Sequence, residues 1–241
     1  MQRPERSGTR TPVRVILLEP EKGGNIGSVA RAMKNFKLTD LWIVRPKTGL
    51  NNEARAFAMG GRDILLSAKI VRTLKKALNG VDLVVGTSSV SATSTSNLSR
   101  VSITPAELAR KVRTAKGNVG IIFGRESSGL SNSEVEACDF MVTIPASREY
   151  NVLNLATAAS VIFYEIFRQK TQKQTYELAS KPATERLNLE FTRLLRSSKV
   201  QQHRRRLTQR AFRNIISRSF ISKREASLLL GVLRKADAKL T

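Results

Sequence analysis

Three short stretches carry residue types and spacings suited to chemistry at the edge of an α/β sheet. "GGNIGSVAR" (residues 23–31) follows the apolar run "VRVILL" (13–18) and sets three glycines, Asn25 and Arg31 at a strand-to-helix turn. Such a turn is either an ordinary Gly-rich connection with Asn25 as helix N-cap, or the rim of a site. Arg31 favours the rim: it is expected about one turn into the helix, on the face of Gly27 and Ser28. "FGRESSGL" (123–130) follows the most apolar run, and Gly124 allows a close backbone approach where open α/β sheets bind ligands. Glu126 adds a carboxylate at that edge, the alternative being a Gly-bounded turn with a solvated Arg-Glu pair. In "IPASREYNVLNLATAASVIFYEIF" (144–167), Pro145 ends a strand and an apolar helix is expected from near Asn151. Its small residues Ala156, Ala158, Ala159 and Ser160 suit close packing, in a buried core helix or at a subunit interface.

Other chemistries fit poorly. A dinucleotide fingerprint needs G-x-G-x-x-G and an acidic residue closing the next strand, whereas "LWIVRP" (41–46) ends in Arg and Pro. No P-loop, H-E-x-x-H, Ser-His-Asp set or paired carboxylates appear. Cys138 and His203 are the lone residues of their types, so neither a disulfide nor a thiol- or imidazole-based metal site is expected.

The elements that must position these residues are read from periodicity. Strands are expected at 13–18, 41–44, 81–86, 119–124 and 140–145, with helical patterns at 28–37, 52–61, 71–80 and 104–117. Several strands are apolar throughout, as in a parallel sheet covered on both faces. The fold class is therefore α/β with a mostly parallel sheet over 13–168. Residues 1–12 read as a disordered basic tail and 169–182 as a linker. Residues 183–241 read as a small all-helical basic extension, with no strand expected after about Lys170. Residues 87–102 hold 10 Ser or Thr in 16 positions without periodicity, a surface or functional loop.

The formal net charge of +23 points to a polyanionic partner, nucleic acid before anionic membrane. The charge is concentrated late: residues 191–224 carry 11 basic side chains and no acidic one. Arg206, Arg210 and Arg213 recur at helical spacing, while Leu207, Ala211 and Ile215 suit a separate apolar face. A phosphate-gripping helix that reads RNA shape fits this pattern, with Arg204 and Arg205 beside it. No apolar run approaches the ~18 residues of a membrane span and no leader is evident, so a cytoplasmic protein is expected.

Taken in order, "NIGSVAR", "FGRESSGL" and "IP…NVLNLATA" resemble the three motifs of the SPOUT RNA methyltransferases, in their SpoU/TrmH branch. Within that branch the chain resembles the TrmJ family of tRNA 2′-O-ribose methyltransferases, and residues 207–236 resemble that family's helical extension. The resemblance implies a deep trefoil knot at the C-terminal end of the sheet, an exception to unknotted connections. It implies a homodimer, tRNA as partner rather than DNA or a membrane, and S-adenosylmethionine as cofactor. The cofactor site would comprise Thr87, Ser88, Ser89, Gly124, Ile144, Asn151, Val152 and Leu153. The target would be nucleotide 32 of the anticodon loop, cytidine or uridine. A guanidinium stays protonated to pH of about 12, so Arg31 would stabilise a developing alkoxide rather than act as a base. Glu126 and Asn154 would hold Arg31 and the substrate, and Asn25 would support the first turn. One position departs: relatives carry Ser where this chain has Val152. The alternatives are a non-catalytic RNA-binding or ribosome-assembly protein, and a methyltransferase acting on rRNA.

Overall fold

The computed structural model describes residues 12–89, 102–168, 176–198, 200–219 and 221–240. The basic tail, most of the Ser/Thr-rich segment and the first half of the expected linker lie outside them. The elements in order are β1 (Val13–Leu18), α1 (Gly23–Asn35), β2 (Asp40–Val44), α2 (Asn52–Ala58), a 3-10 turn (Met59–Gly61), α3 (Arg62–Leu66), β3 (Lys69–Val71) and α4 (Leu74–Ala77). They continue with β4 (Leu83–Thr87), β5 (Ser102–Ile103), α5 (Pro105–Thr114), β6 (Ala115–Lys116), β7 (Val119–Phe123), α6 (Asn132–Ala137), β8 (Phe140–Val142) and α7 (Leu155–Arg168). The last are β9 (Tyr176–Glu177), α8 (Lys181–Ser197), α9 (Gln202–Ser219) and α10 (Lys223–Leu240).

Seven strands form one parallel sheet in the order β3-β2-β1-β7-β4-β8-β5. All five residues of central β7 are buried, which explains its unbroken apolar run. One face packs against α1, α2, α5 and α7 through residues such as Ile26, Met33, Leu108 and Phe163. The other packs against α4 and α6 through Ala77, Val81, Val135 and Cys138. A third, small cluster joins α8, α9 and α10 around Leu187, Ile216 and Ala226. No described helix is long and apolar enough to cross a membrane.

Four expectations are corrected. The helical pattern at 71–80 yields only α4, because β3 takes Val71 and Thr73 caps the helix by accepting from the Lys76 amide. Helix α7 begins at Leu155 rather than near Asn151, since the Asn154 carboxamide accepts from the amides of Ala156 (2.9 Å) and Thr157 (3.4 Å). A strand does follow Lys170: β9 pairs in parallel with β6, a two-residue ladder too short for periodicity to show. Finally, Leu207 and Ile215 are more than half exposed, so they form no buried face of α9.

Candidate active site

The C-terminal edge of the sheet opens into a cavity of about 340 Å³. It is built by the ends of β4 and β7, the segment after β8, and the first turns of α7. All eight residues expected at the cofactor site line it: Thr87, Ser88, Ser89, Gly124, Ile144, Asn151, Val152 and Leu153. Leu130, Val135, Met141 and Ile162 supply apolar wall, and Glu126, Ser127 and Ser128 polar rim. Two hydrogen bonds join the segments: Asn151 Nδ2 donates to the Ser89 carbonyl (3.1 Å) and the Ser88 amide to the Val142 carbonyl (3.0 Å). Gly124 is required by space, because a Cβ there would sit 2.4 Å from the Gly129 carbonyl carbon. Arg125 and Gly129 exchange backbone hydrogen bonds across the loop, and Gly129 turns it at φ +66°.

Three consecutive residues of that loop bind the loop after β1. Glu126 accepts from the amides of Glu21 (2.8 Å) and Lys22 (3.4 Å) and from Asn25 Nδ2 (2.8 Å). Asn154 Nδ2 in turn donates to Asn25 Oδ1 (3.0 Å), so one chain of side chains links the three motifs. Ser127 donates through its hydroxyl (2.7 Å) and amide (3.2 Å) to the Glu21 carboxylate. Arg125 Nε reaches Glu19 (2.7 Å), while its two terminal nitrogens grip Glu134 at 2.9 and 3.0 Å. Arg45 closes the series on the other oxygen of Glu19 at 2.6 Å. Glu19 and Arg45, at the ends of β1 and β2, both adopt positive φ (48° and 44°), a strained backbone that persists where surroundings fix it. The Arg125 guanidinium pulls the Glu134 carboxyl down to about 2, and lowers that of Glu19 too.

These contacts revise three assignments. Asn25 is not the N-cap of α1. Lys22 holds that position without a side-chain bond, and Asn25 spends its carboxamide on Glu126 and Asn154 instead. Arg31 lies more than two turns into α1, is exposed, and has no hydrogen-bond or ion-pair partner among the described residues. Glu126 and Asn154 therefore hold Asn25, not Arg31. Nor is there a solvated Arg125-Glu126 pair, since Arg125 is turned into the Glu19/Glu134 clamp. Sequence reasoning passed over Glu19, Arg125 and Glu134, although "SNSE" (131–134) carries the S-x-x-E capping-box pattern that the structure forms.

Cys138 is buried, and burial beside Asp139 pushes its thiol up to about 12, which excludes a thiolate nucleophile at neutral pH. Among the described residues no group of His, Cys, Asp or Glu is arranged to hold a metal. On α9, Arg204 and Arg206 point to solvent, and Arg206 lies 3.7 Å from Glu136 while 90% exposed. Arg205 donates to the Val200 carbonyl (2.9 Å). Arg210 and Arg213 turn the other way, towards the sheet domain: Arg213 lies 3.7 Å from buried Asp139, which Lys181 also contacts at 3.2 Å. Burial pulls the Arg210 guanidinium below its usual range. A buried carboxylate needs cations, and that demand sets the inner face of α9.

The model of the SpoU rRNA Methylase family matches residues 12–164. The chain belongs to the SpoU methylase family. It is 40% identical over 227 residues to the tRNA (cytidine-2'-O-)-methyltransferase TrmJ of Methanocaldococcus jannaschii, spanning 92% of this chain and 98% of that one. It is 36% identical over 238 residues to the tRNA (cytidine/uridine-2'-O-)-methyltransferase TrmJ of Shigella dysenteriae, spanning 93% and 95%. Among solved structures it is similar to TrmJ of Z. mobilis (TM-score 0.66, 29% identity, covering 92% of this chain and 97% of that one). In this family setting, the matched span ends within α7, and the likeness to TrmJ continues through α8–α10.

Proposed function

We propose that this SpoU methylase transfers a methyl group from S-adenosylmethionine to a ribose 2′-oxygen of tRNA, at nucleotide 32 of the anticodon loop. The observation that carries the reading is the cavity at the sheet's C-terminal edge. Three segments separated in sequence converge there, and they include every residue expected to hold the cofactor. Its volume and mixed lining suit a nucleoside with an amino-acid tail: apolar wall for the adenine, hydroxyls and loop backbone for the polar ends. Buried Thr143 Oγ1, beside Ile144, has no hydrogen-bond partner among the described residues, a further polar atom close to that wall. When bound, the cofactor supplies a methyl group already activated on a sulfonium.

The protein's own work is alignment and charge. The Glu126–Asn25–Asn154 chain fixes the turn after β1 against the start of α7, and the Arg125 clamp fixes the loop that walls the cavity. Arg31, whose charge no carboxylate neutralises among the described residues, stabilises the oxyanion that develops on the ribose. Arg204, Arg205 and Arg206 grip backbone phosphates, and Arg210 and Arg213 anchor α9 to the sheet domain. The insertion of β7 between β1 and β4 supports the knotted path expected of this fold. A homodimer is supported by Phe36, Tyr164 and Phe167, an aromatic cluster on α1 and α7 that leaves Tyr164 half exposed. The likeness to TrmJ over nearly the whole chain favours tRNA over rRNA and cytoplasmic work over any other. The test is transfer of tritiated methyl from S-adenosylmethionine to tRNA transcripts. Incorporation that ribose-specific mapping places on a 2′-oxygen is expected; cofactor binding with no transfer to any tRNA would overturn the reading.

A further inference from the structure

A second cavity, of about 470 Å³, lies between α2 and α3, lined by Asn52, Arg55, Ala56, Arg62, Leu65 and Leu66. Arg55 and Arg62 are exposed, and among the described residues neither meets a carboxylate. The nearby acids are committed elsewhere. Asp63 pairs with Lys34 on α1 (2.5 Å), and Glu53 lies against Gly24. Arg62 is nonetheless placed, since its Nε donates to the Arg55 carbonyl (3.2 Å). Two unneutralised guanidiniums held beside one another on short helices favour an anion, which they recognise by paired hydrogen bonds.

The cleft is tied to Arg31. The turn between α2 and α3 carries Met59 at φ 46°, a conformation that costs a non-glycine residue about 1–3 kcal/mol. That turn presses Gly61 against α1 so closely that a Cβ would lie 2.8 Å from Arg31 Cα and 2.6 Å from the Ala30 carbonyl oxygen. Arg62 is the next residue. The third unpaired arginine, Arg31, thus rises from the backbone on which the cleft rests. Beside the cations, Leu66 is 67% exposed, an apolar shelf over buried Leu65.

We propose that the Arg55/Arg62 cleft is a nucleotide subsite for the RNA strand that carries the target ribose. A backbone phosphate sits on the two arginines, its nucleoside lies on Leu66, and the neighbouring ribose is delivered towards Arg31. This deepens the tRNA reading and rests on it. The test measures binding, so it is independent of turnover. Fluorescence anisotropy with a labelled tRNA transcript would compare the full chain, the Arg55→Gln/Arg62→Gln variant and a Lys75→Gln/Lys76→Gln control at several salt concentrations. The control removes the same charge from α4, on the opposite face of the sheet. The cleft variant should bind tRNA at least tenfold more weakly, with a salt slope shallower by about 1.4 for two single-strand phosphate contacts. Its affinity for S-adenosylmethionine should match the parent's, and the control should bind tRNA nearly as the parent does. Equal losses in both variants, or none in either, would overturn the subsite. Failure of the parent to methylate tRNA, scored in parallel, would overturn the enzymatic reading alone.

Discussion

Replacing Arg125 by Met keeps most of the side chain's volume but removes the cation between two carboxylates. Glu19, Glu134 and Arg125 are only 14, 13 and 17% exposed, so water cannot substitute for the lost charge. Glu19 keeps Arg45 at 2.6 Å, and the larger loss therefore falls on Glu134. Its carboxyl is held at about 2 against an ordinary 4.5, chiefly by Arg125. At about 1.4 kcal/mol per unit this amounts to roughly 3 kcal/mol, in line with the ~3–5 kcal/mol for breaking a buried ion pair. The sign follows from the lowered value. The contribution is complete above the unfolded carboxyl's 4.5 and is lost as pH falls through about 2. Urea titrations at pH 7 and pH 3 should give a parent-minus-variant gap of about 3 kcal/mol that narrows clearly at the lower pH. Melting at pH 7 should fall by about 6–12 °C. A variant as stable as the parent, or a gap that ignores pH, would refute the clamp.

Arg31→Ala should lose most methyl transfer while binding S-adenosylmethionine like the parent by calorimetry, and near-parental turnover would remove its catalytic role. Val152→Ser should stay within a few-fold of the parent in rate, because exposed Val152 lines the cavity; a large gain would mean that the hydroxyl matters. Gly124→Ala should weaken cofactor binding at least tenfold, the overpacking against Gly129 costing about 1–3 kcal/mol, as dialysis would show. Arg204→Gln/Arg205→Gln/Arg206→Gln should weaken tRNA binding and flatten its salt dependence, measured by gel shift, without altering cofactor affinity.

The parallel sheet and the cavity's lining were legible in sequence for different reasons. Apolar runs such as "VRVILL" and "VGIIF" announce strands buried on both faces, and β1 has the expected bounds. The cofactor segments were reached through motif order, since nothing in "TSS" (87–89) alone predicts a cavity wall. What stayed hidden depends on pairing across long sequence distance. Arg125 finds Glu19 across 106 residues, and Asn25 finds Asn154 across 129. The strands β3, β5, β6 and β9 are two or three residues long, too short for any period to register. The inner face of α9 was misread because hydropathy sends arginine outward, while buried Asp139 draws Arg213 in. The same contacts make α8 and α9 part of the sheet domain's packing: Leu178 joins its core, and Lys111 donates to the Arg218 carbonyl.

The central claim is tested most directly by the chemistry at one oxygen. Purified protein, S-adenosylmethionine and paired tRNA transcripts, one with ribose and one with 2′-deoxyribose at nucleotide 32, would be compared by nucleoside mass spectrometry. The account predicts a 2′-O-methylated pyrimidine nucleoside from the first transcript and no methylation of the second. Equal methylation of both transcripts, or a methyl group on the base, would contradict it.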